Sequence, residues 1–427
     1  MFRATPDTRH GEPGLHFGVI TSPVRGHIDP LLALASALHE RGCRVTFVHA
    51  EDAGSLVQGS TAGFRAVGAR DYPSGALREY VKTLGGATGL VGTIRMVAAT
   101  ARLADMLCRE APDALRELGV SMVLADVAEP AGALIARHLG LPFVSVITGL
   151  PLHPDPIVPP PYLGWLPDTS PRGRIRIGRV YRAAGVLMTP ITRVLRRYAR
   201  SWNVPGDPTQ VLSPLLTVAQ CPPGLDFPRS LPSPPIAWCG PFRTKEEGSF
   251  DPPHDDGRPL IFCSLGTLQG GRYATLRVIA AACADLGARA VIAHCGLLTE
   301  EQARSLPGDP LVQPFWPQRA VLRHARAAIV HGGFNTVLDC LSAGVPMVAV
   351  PIAFEQPGTS ARLRAAGAAV VVPRWRMTRR TVRNALAKVL NEPSYARAAG
   401  SFADQLRGTE GAETAAAGIM SACARQS

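Results

Sequence analysis

The chain has 427 residues, 46% of them apolar and 18% charged, with Gly and Pro together about a fifth. That composition excludes a disordered or collagen-like chain and leaves room for two to three cores without disulfide or metal staples. Basic residues exceed acidic ones by 12. The surplus is local: Pro171–Arg200 holds nine Arg and Pro373–Arg383 five more, neither with an acid. The rest of the chain carries 31 basic and 33 acidic residues.

The first apolar run, Leu15–Thr21, reads as a strand. A loop with Pro23 and Gly26 follows, then a helical pattern over Pro30–Arg41 and a second strand, Arg44–His49. Strand, helix, strand at this spacing is a βαβ unit and implies a parallel sheet. The pattern repeats at Ser121–Ala125, Pro130–Leu139 and Pro142–Ile147. Pro151–Pro171 is too proline-rich for a regular element. In Arg172–Arg200 arginines recur at helical spacing beside an apolar stripe, and Pro190 should kink the helix.

Phe242–Pro259 reads as a linker. Beyond it, strands are expected at Leu260–Cys263, Ala290–His294, Leu311–Pro314, Ala327–Val330, Met347–Val350 and Ala369–Val372. Helices should alternate with them at Tyr273–Leu286, Thr299–Ser305, Phe334–Ser342, Gln356–Ala366 and Thr378–Leu390. The expectation is an α/β chain of two doubly wound, Rossmann-like parallel-sheet domains facing a central cleft. The boundaries are 1–241, a linker at 242–258, and 259–427, the last helix packing back on the first domain. In such sheets ligands bind at the carboxyl edge.

Several chemistries are unsupported. There is no P-loop, no G-x-G-x-x-G after a strand and no H-E-x-x-H. The nine Cys show no C-x-x-C spacing and mostly sit in apolar runs, so metal ligation and disulfides are not expected. No apolar targeting segment or run of 18 uncharged apolar residues occurs, and the expected compartment is a reducing cytoplasm. Clustered Arg without interleaved aromatics gives little support to nucleic acid.

The informative passage is Phe315–Gln356. Ala327–Val330 reads as a buried strand, and His331-Gly332-Gly333 as the turn after it. Glycines there let backbone amides approach a ligand closely. Asn335 and Thr336 open the next helix, whose free N–H groups and dipole favour an anion. Asp339, one turn on, is close enough to accept from sugar hydroxyls. The plain alternative is a helix cap at Asn335 and Thr336, with Asp339 merely solvated.

The run His-Gly-Gly-x-Asn-Thr, the acid eight residues after the His, Gly344-Val-Pro346 and Pro351-x-x-x-Glu-Gln356 resemble the C-terminal signature of UDP-dependent glycosyltransferases of the GT-B fold, glycosyltransferase family 1. Gly26-His27-Ile28-x-Pro30 and Ser264-Leu-Gly-Thr267 match that family's other loops. Within it, 263–270, 293–296, 331–339 and 351–358 look like the bacterial carotenoid members, the zeaxanthin glucosyltransferases, as do the runs 129–132 and 159–165.

The resemblance implies a donor site. In it His331 contacts a phosphate, Gly333 lets the backbone approach, and Asn335 and Thr336 hold the β-phosphate. Thr267 lies near the pyrophosphate, Asp339 accepts from the ribose and Gln318 lies beside the uridine. Glu355 and Gln356 take the donor sugar's hydroxyls. Phe315 occupies the uracil-stacking place of plant members, where Trp is usual; Trp316 follows it, so either ring could face uracil.

Sugar transfer needs a base for the acceptor hydroxyl, and a neutral His suits that near pH 7. His27, in the loop after the first strand, is the candidate. Asp126, ending the strand Ser121–Ala125, is the carboxylate the resemblance pairs with it; Glu129 is the second choice, and a helix cap near Pro130 is the alternative role for Asp126. No metal is expected, and the leaving diphosphate would be stabilised by the helix dipole.

The resemblance implies an inverting transfer of glucose from UDP-glucose to a lipophilic hydroxylated acceptor such as zeaxanthin. A macrolide, flavonoid or other soluble aglycone is the alternative acceptor. Rival readings are a non-catalytic nucleotide-sugar-binding protein, which would not need His27, Asp126, Glu355 and Gln356, and a nucleotide-sugar epimerase, which needs no open acceptor pocket. The basic amphipathic Arg172–Arg200 segment suggests peripheral contact with an anionic membrane surface.

Overall fold

The computed structural model describes residues 14–231, 236–245, 248–252 and 257–425. The opening residues 1–13, the end 426–427 and parts of the expected linker (246–247 and 253–256) lie outside the described residues.

Among the described residues the chain forms two all-parallel sheets. The first contains β1 (His16–Ile20), β2 (Arg44–His49), β3 (Gly63–Ala66), β4 (Met122–Asp126), β5 (Phe143–Ile147), β6 (Thr217–Ala219) and β7 (Ile236–Trp238), in the order β3-β2-β1-β4-β5-β6-β7. The second contains β8 (Leu260–Ser264), β9 (Arg289–Ala293), β10 (Leu311–Gln313), β11 (Ala325–Val330), β12 (Met347–Ala349) and β13 (Ala369–Val371), in the order β10-β9-β8-β11-β12-β13.

Helices cover both faces of each sheet, so the central strands are buried on both sides. That is why β1, β4 and β5 read as continuous apolar runs rather than alternating ones. Phe17, Phe47, Leu31, Leu34 and Leu38 fill one layer against the first sheet, each stabilising the fold by about 2 kcal/mol. Ala412, Ala415, Ala416 and Ile419 join that same layer from the helix Gly411–Ala424, which returns to the first domain after the second sheet is complete. Deeper in the molecule the two units are bolted by Arg362, whose Nε and Nη2 donate to Asp226 Oδ1 at 2.8 and 2.6 Å. Gly358 lies so close to Pro161 that a Cβ would come within 2.3 Å of the Pro161 carbonyl oxygen.

In both sheets the first strand has neighbours drawn from opposite directions of the winding. The switch points are therefore β1/β4 and β8/β11, and the crevices beyond their carboxyl ends are where such sheets take ligands.

Several local features differ from expectation, beginning with strands β3, β6 and β7 and the helix Pro393–Leu406, which were not among the expected elements. The helix expected over Pro30–Arg41 spans Arg25–His39, so His27 stands in its first turn rather than in a loop. Val24, extended at φ −130° and ψ 148°, is the residue before it. Gly89–Glu117 is a 29-residue helix, buried through Leu103, Leu107 and Cys108; its Gly89, Gly92 and Pro112 obscure the periodicity in the sequence. The Arg-rich segment breaks rather than bends. Helices Pro171–Leu187 and Thr189–Ser201 meet at Met188, and Pro190 sits in the first turn of the second, where its missing N–H leaves no gap. Short helices at Leu77–Gly85 and Gln318–Leu322 were not anticipated. All nine Cys are free thiols, and all but the half-buried Cys295 are buried.

Candidate active site

A cleft of about 1000 Å³ opens between the carboxyl edges of the two sheets. It is lined by His27 and Asp126 from one side and by Thr267, Phe315, Gln318, His331, Gly333, Asn335, Thr336, Asp339, Glu355 and Gln356 from the other. The base, its first-choice partner and the expected donor-site residues thus reach one cavity, whereas Glu129, the second choice, does not line it.

On the first-sheet side, Asp126 ends β4 and is 1% exposed. Its Oδ2 lies 2.8 Å from His27 Nδ1 and accepts the Thr21 hydroxyl at 2.7 Å. Its Oδ1 accepts the Ala128 N–H at 3.1 Å. The helix-cap alternative fails, because the helix Ala131–Leu139 starts from Pro130 without a side-chain cap. Glu129 is equally buried, and its carboxylate accepts the Ala131 N–H at 3.3 Å.

These contacts set the protonation states. With Nδ1–H donated to Asp126, His27 keeps a lone pair on Nε2. Burial works against the imidazolium, but the Asp126 carboxylate, helped by Glu355 and Glu129, outweighs it and holds the His27 pKa above the ordinary 6.5. Burial likewise opposes the Asp126 anion, and the contacts with His27, Thr21 and Ala128 override it, so its pKa is lowered. Burial pushes Glu129 up to about 8, which leaves it mostly protonated at neutral pH.

Sequence reasoning missed the other group on the ring. The Thr148 hydroxyl, one residue past β5, sits 2.8 Å from His27 Nδ1. It stands at the carboxyl edge of the sheet, just past the strand next to that of Asp126, where no local motif marks it.

On the second-sheet side, His331 follows β11 and is 7% exposed. Glycines on both flanks admit its ring. A Cβ on Gly333 would lie 2.3 Å from Nε2, and one on Gly266, whose φ is +73°, would lie 2.6 Å from it. Burial lowers the His331 pKa to about 4, so the ring is neutral at physiological pH, and its buried Nδ1 has no hydrogen-bond partner. Gly333 precedes the helix Phe334–Ser342, and no side chain caps that N-terminus. The first-turn N–H groups and the dipole point into the cleft as an anion site, with an orphaned imidazole nitrogen buried beside it.

Asp339 is not merely solvated. It is 8% exposed, and its Oδ1 accepts Arg243 Nε at 2.6 Å while its Oδ2 accepts Gln318 Nε2. The Thr336 hydroxyl donates to Gln318 Oε1 at 3.4 Å. Each carboxylate oxygen retains a second acceptor site. Arg243 lies in the connector after β7 and was not anticipated; no local motif marks it.

Of the two neighbouring rings, Trp316 is engaged: its indole N–H donates to the Ile292 carbonyl at 3.1 Å and its ring meets Phe250 edge-on. Phe315 is 58% exposed and is the ring left free to stack. Gln356 uses its Oε1 to accept the N–H groups of Ile352 and Ala353, both at 2.9 Å, so only its amide N–H donors remain for a ligand. Glu355 precedes the helix Gln356–Ala365, and burial raises its pKa. Phe354 before it holds φ at +55°, outside the range comfortable for a side-chain-bearing residue, and packs onto the first domain's core.

Beyond His27 the cleft continues into an apolar lobe walled by Leu84, Met96, Val97, Ile147, Met188 and Ile191.

Comparison with known proteins agrees with this geometry. The model of the family described as UDP-glucoronosyl and UDP-glucosyl transferase matches residues 254–403. A zeaxanthin glucosyltransferase of Pantoea ananas is 37% identical over 82% of this chain and 82% of its own. Another, of Pseudescherichia vulneris, is 34% identical over 96% of this chain and 98% of its own. Among solved structures, the glycotransferase of kitacinnamycin superposes with a TM-score of 0.77 at 20% identity, covering 96% of this chain and 100% of that one. The calicheamicin glycosyltransferase CalG4 gives 0.72 at 20%, covering 97% and 99%. The fold is therefore GT-B, and identity at this level across most of its length places the chain in the UDP-glucoronosyl and UDP-glucosyl transferase family, as a hexosyltransferase enzyme.

Proposed function

We propose that the enzyme transfers glucose from UDP-glucose, with inversion, to a hydroxyl of a hydroxylated carotenoid, zeaxanthin being the acceptor named for both relatives described above. The observation that carries the reading is the His27–Asp126 pair at the β1/β4 switch point, between an apolar lobe and an anion site.

In this reading His27 Nε2 takes the proton of the acceptor hydroxyl as its oxygen attacks the anomeric carbon. Asp126 holds the tautomer and stabilises the imidazolium that forms. The bond to the diphosphate breaks on the opposite face. The helix Phe334–Ser342, the Thr336 hydroxyl and the neutral His331 take up the charge of the leaving UDP. No step requires a metal. Phe315 stacks the uracil, Gln318 lies beside it, Asp339 accepts from the ribose, Thr267 sits at the pyrophosphate, and Glu355 with the Gln356 amide holds the sugar.

The test is incubation with UDP-glucose and zeaxanthin under mass detection, with a flavonoid and a macrolide in parallel. A glucosylated carotenoid without glucosylated soluble acceptors supports the assignment; the reverse pattern replaces the acceptor.

The finer part of the proposal is peripheral contact with an anionic bilayer. No helix among the described residues is long and apolar enough to span a membrane. The helix Gly89–Glu117 packs along Thr189–Ser201, and both supply walls of the apolar lobe. Leu90, Val91 and Ile94 on the helix Gly89–Glu117 and Val186 on Pro171–Leu187 are exposed, and the helices Pro171–Leu187 and Thr189–Ser201 carry the nine arginines and no acid. Aliphatic side chains with flanking cations suit an anionic lipid surface. Flotation with vesicles containing phosphatidylglycerol, at low salt, should carry the protein up, and Leu90→Asp with Val186→Asp should abolish this; no flotation of the unaltered protein rejects the contact.

A further inference from the structure

Asn335 belongs to the second domain, yet its side chain bonds to the first. Its Nδ2 donates to the Gly26 carbonyl at 3.0 Å, and its Oδ1 accepts Gln220 Nε2 at 2.8 Å. Both contacts have causes in the sequence. Within the helix Arg25–His39, the Gly26 carbonyl would accept the N–H of residue 30, and residue 30 is proline. Proline has no N–H, so that carbonyl is released from the helix and faces outward for another donor.

Gln220 is fully buried, just past β6. Its Oε1 accepts Arg243 Nη1 at 3.2 Å, and its Nε2 also donates to the Thr148 carbonyl. An amide whose oxygen faces a guanidinium must present its nitrogen to Asn335. Asn335 must then turn its oxygen to Gln220 and its nitrogen to Gly26. The guanidinium closes the ring by donating from Nη2 to the Asn335 carbonyl at 2.8 Å.

The two anchor points flank one residue. Gly26 precedes His27 in the chain, and the Thr148 hydroxyl lies 2.8 Å from His27 Nδ1. We infer that Asn335 is a positioning residue: its side chain latches the donor-side helix onto the two segments that hold His27, rather than ligating a phosphate. Apposing the domains and aiming the base then become one event, and the first-turn N–H groups of the helix are left for the diphosphate. The inference rests on His27 being the base.

The test uses the full-length enzyme with Asn335→Ala, Pro30→Ala and the double substitution, reading kcat, KM for UDP-glucose, calorimetric Kd for UDP, and Tm. Pro30→Ala restores an N–H that competes for the Gly26 carbonyl. Losing one hydrogen bond that aligns the base should lower kcat about tenfold in Asn335→Ala. UDP Kd should stay within about twofold, because the phosphate contacts are backbone groups. Pro30→Ala should lower kcat about threefold, a partial version of the same loss, and the double variant should be no worse than Asn335→Ala alone. A tenfold weaker Kd with unchanged kcat at saturating donor would make Asn335 a phosphate ligand and overturn the latch, as would multiplicative losses in the double variant. If Asn335→Ala loses Tm, Asn335→Asp keeps the shape and the Gln220 contact but not the donor to Gly26, and the same split applies. If His27→Ala turns over normally, the base reading fails on its own. The latch is then judged by spin-label distances between the domains, which broaden in Asn335→Ala if it exists and stay unchanged if it does not.

Discussion

The two edges of the cleft solve different problems with different materials. The first-sheet edge converges polar side chains on one ring: Asp126 and Thr148 both reach His27 Nδ1 at 2.8 Å, and Asp126 is itself held by Thr21. The second-sheet edge is built from backbone and absence, with glycines pressed against His331 and an uncapped helix end. Activating a neutral hydroxyl calls for one tuned side chain. Accepting a diphosphate calls for several fixed donors that need not titrate. Variants on the first edge should therefore change turnover, and variants on the second, apart from the latch residue Asn335, should change donor affinity.

The largest effect on the first edge short of removing the base itself is expected from Asp126→Asn. An amide no longer enforces the tautomer or stabilises the imidazolium, and kcat should fall on the order of 10³- to 10⁴-fold with UDP affinity unchanged. The comparison breaks if calorimetry shows UDP affinity falling with it. On the second edge, Arg243→Ala removes a charge from Asp339 and leaves that carboxylate buried and facing the ribose place. UDP binding should weaken about ten- to a hundredfold, the cost of unpairing a buried charged hydrogen bond. Unchanged affinity would detach Asp339 and its partner from the donor.

A smaller effect is a matter of pH. His27 is active when neutral, and its pKa is held above 6.5. The acidic limb of kcat/KM should therefore lie above pH 6.5, with activity lost as pH falls through it. A limb below that value would mean Asp126 does not tune the ring.

Smaller still is Glu129→Gln. Glu129 goes from an ordinary 4.5 to about 8 on burial, so the fold must retain a proton that the unfolded chain gives up. Stability from this site is lost as pH rises between those values, and the amide variant should gain Tm over the unaltered protein progressively from pH 5 to 8. A constant difference across that range would place Glu129 in water. Least of all should chelation matter: EDTA is expected to leave the transfer rate unchanged, and its abolition would add a metal to the donor side.

The same contrast explains what the sequence made legible. The donor edge is nearly contiguous, from Phe315 to Gln356, because a single βαβ passage supplies the loop after β11 and the helix behind it. Its residues could be matched as one run to the family's motif. The acceptor edge is assembled from Thr21, His27, Asp126 and Thr148, spread over three strands, and His27 and Asp126 came from a motif and a strand end. Thr148 was missed because a lone Thr after a strand carries no pattern. Arg243 and Gln220 were missed because only the path of the connector brings them to Asp339 and Asn335. The helix start at Arg25 was placed late because Gly26 and Pro30 look like loop punctuation, although Pro30 within the first turns is what releases the Gly26 carbonyl.

The division of labour between the edges is tested most directly by His27→Ala, with UDP affinity measured by calorimetry and glucose transfer to zeaxanthin measured in a single turnover at saturating donor. The account predicts UDP binding within about twofold of the unaltered enzyme, since no donor contact uses this ring, and transfer lower on the order of 10⁴-fold. Transfer at the unaltered rate, or loss of UDP binding in step with it, would contradict the account.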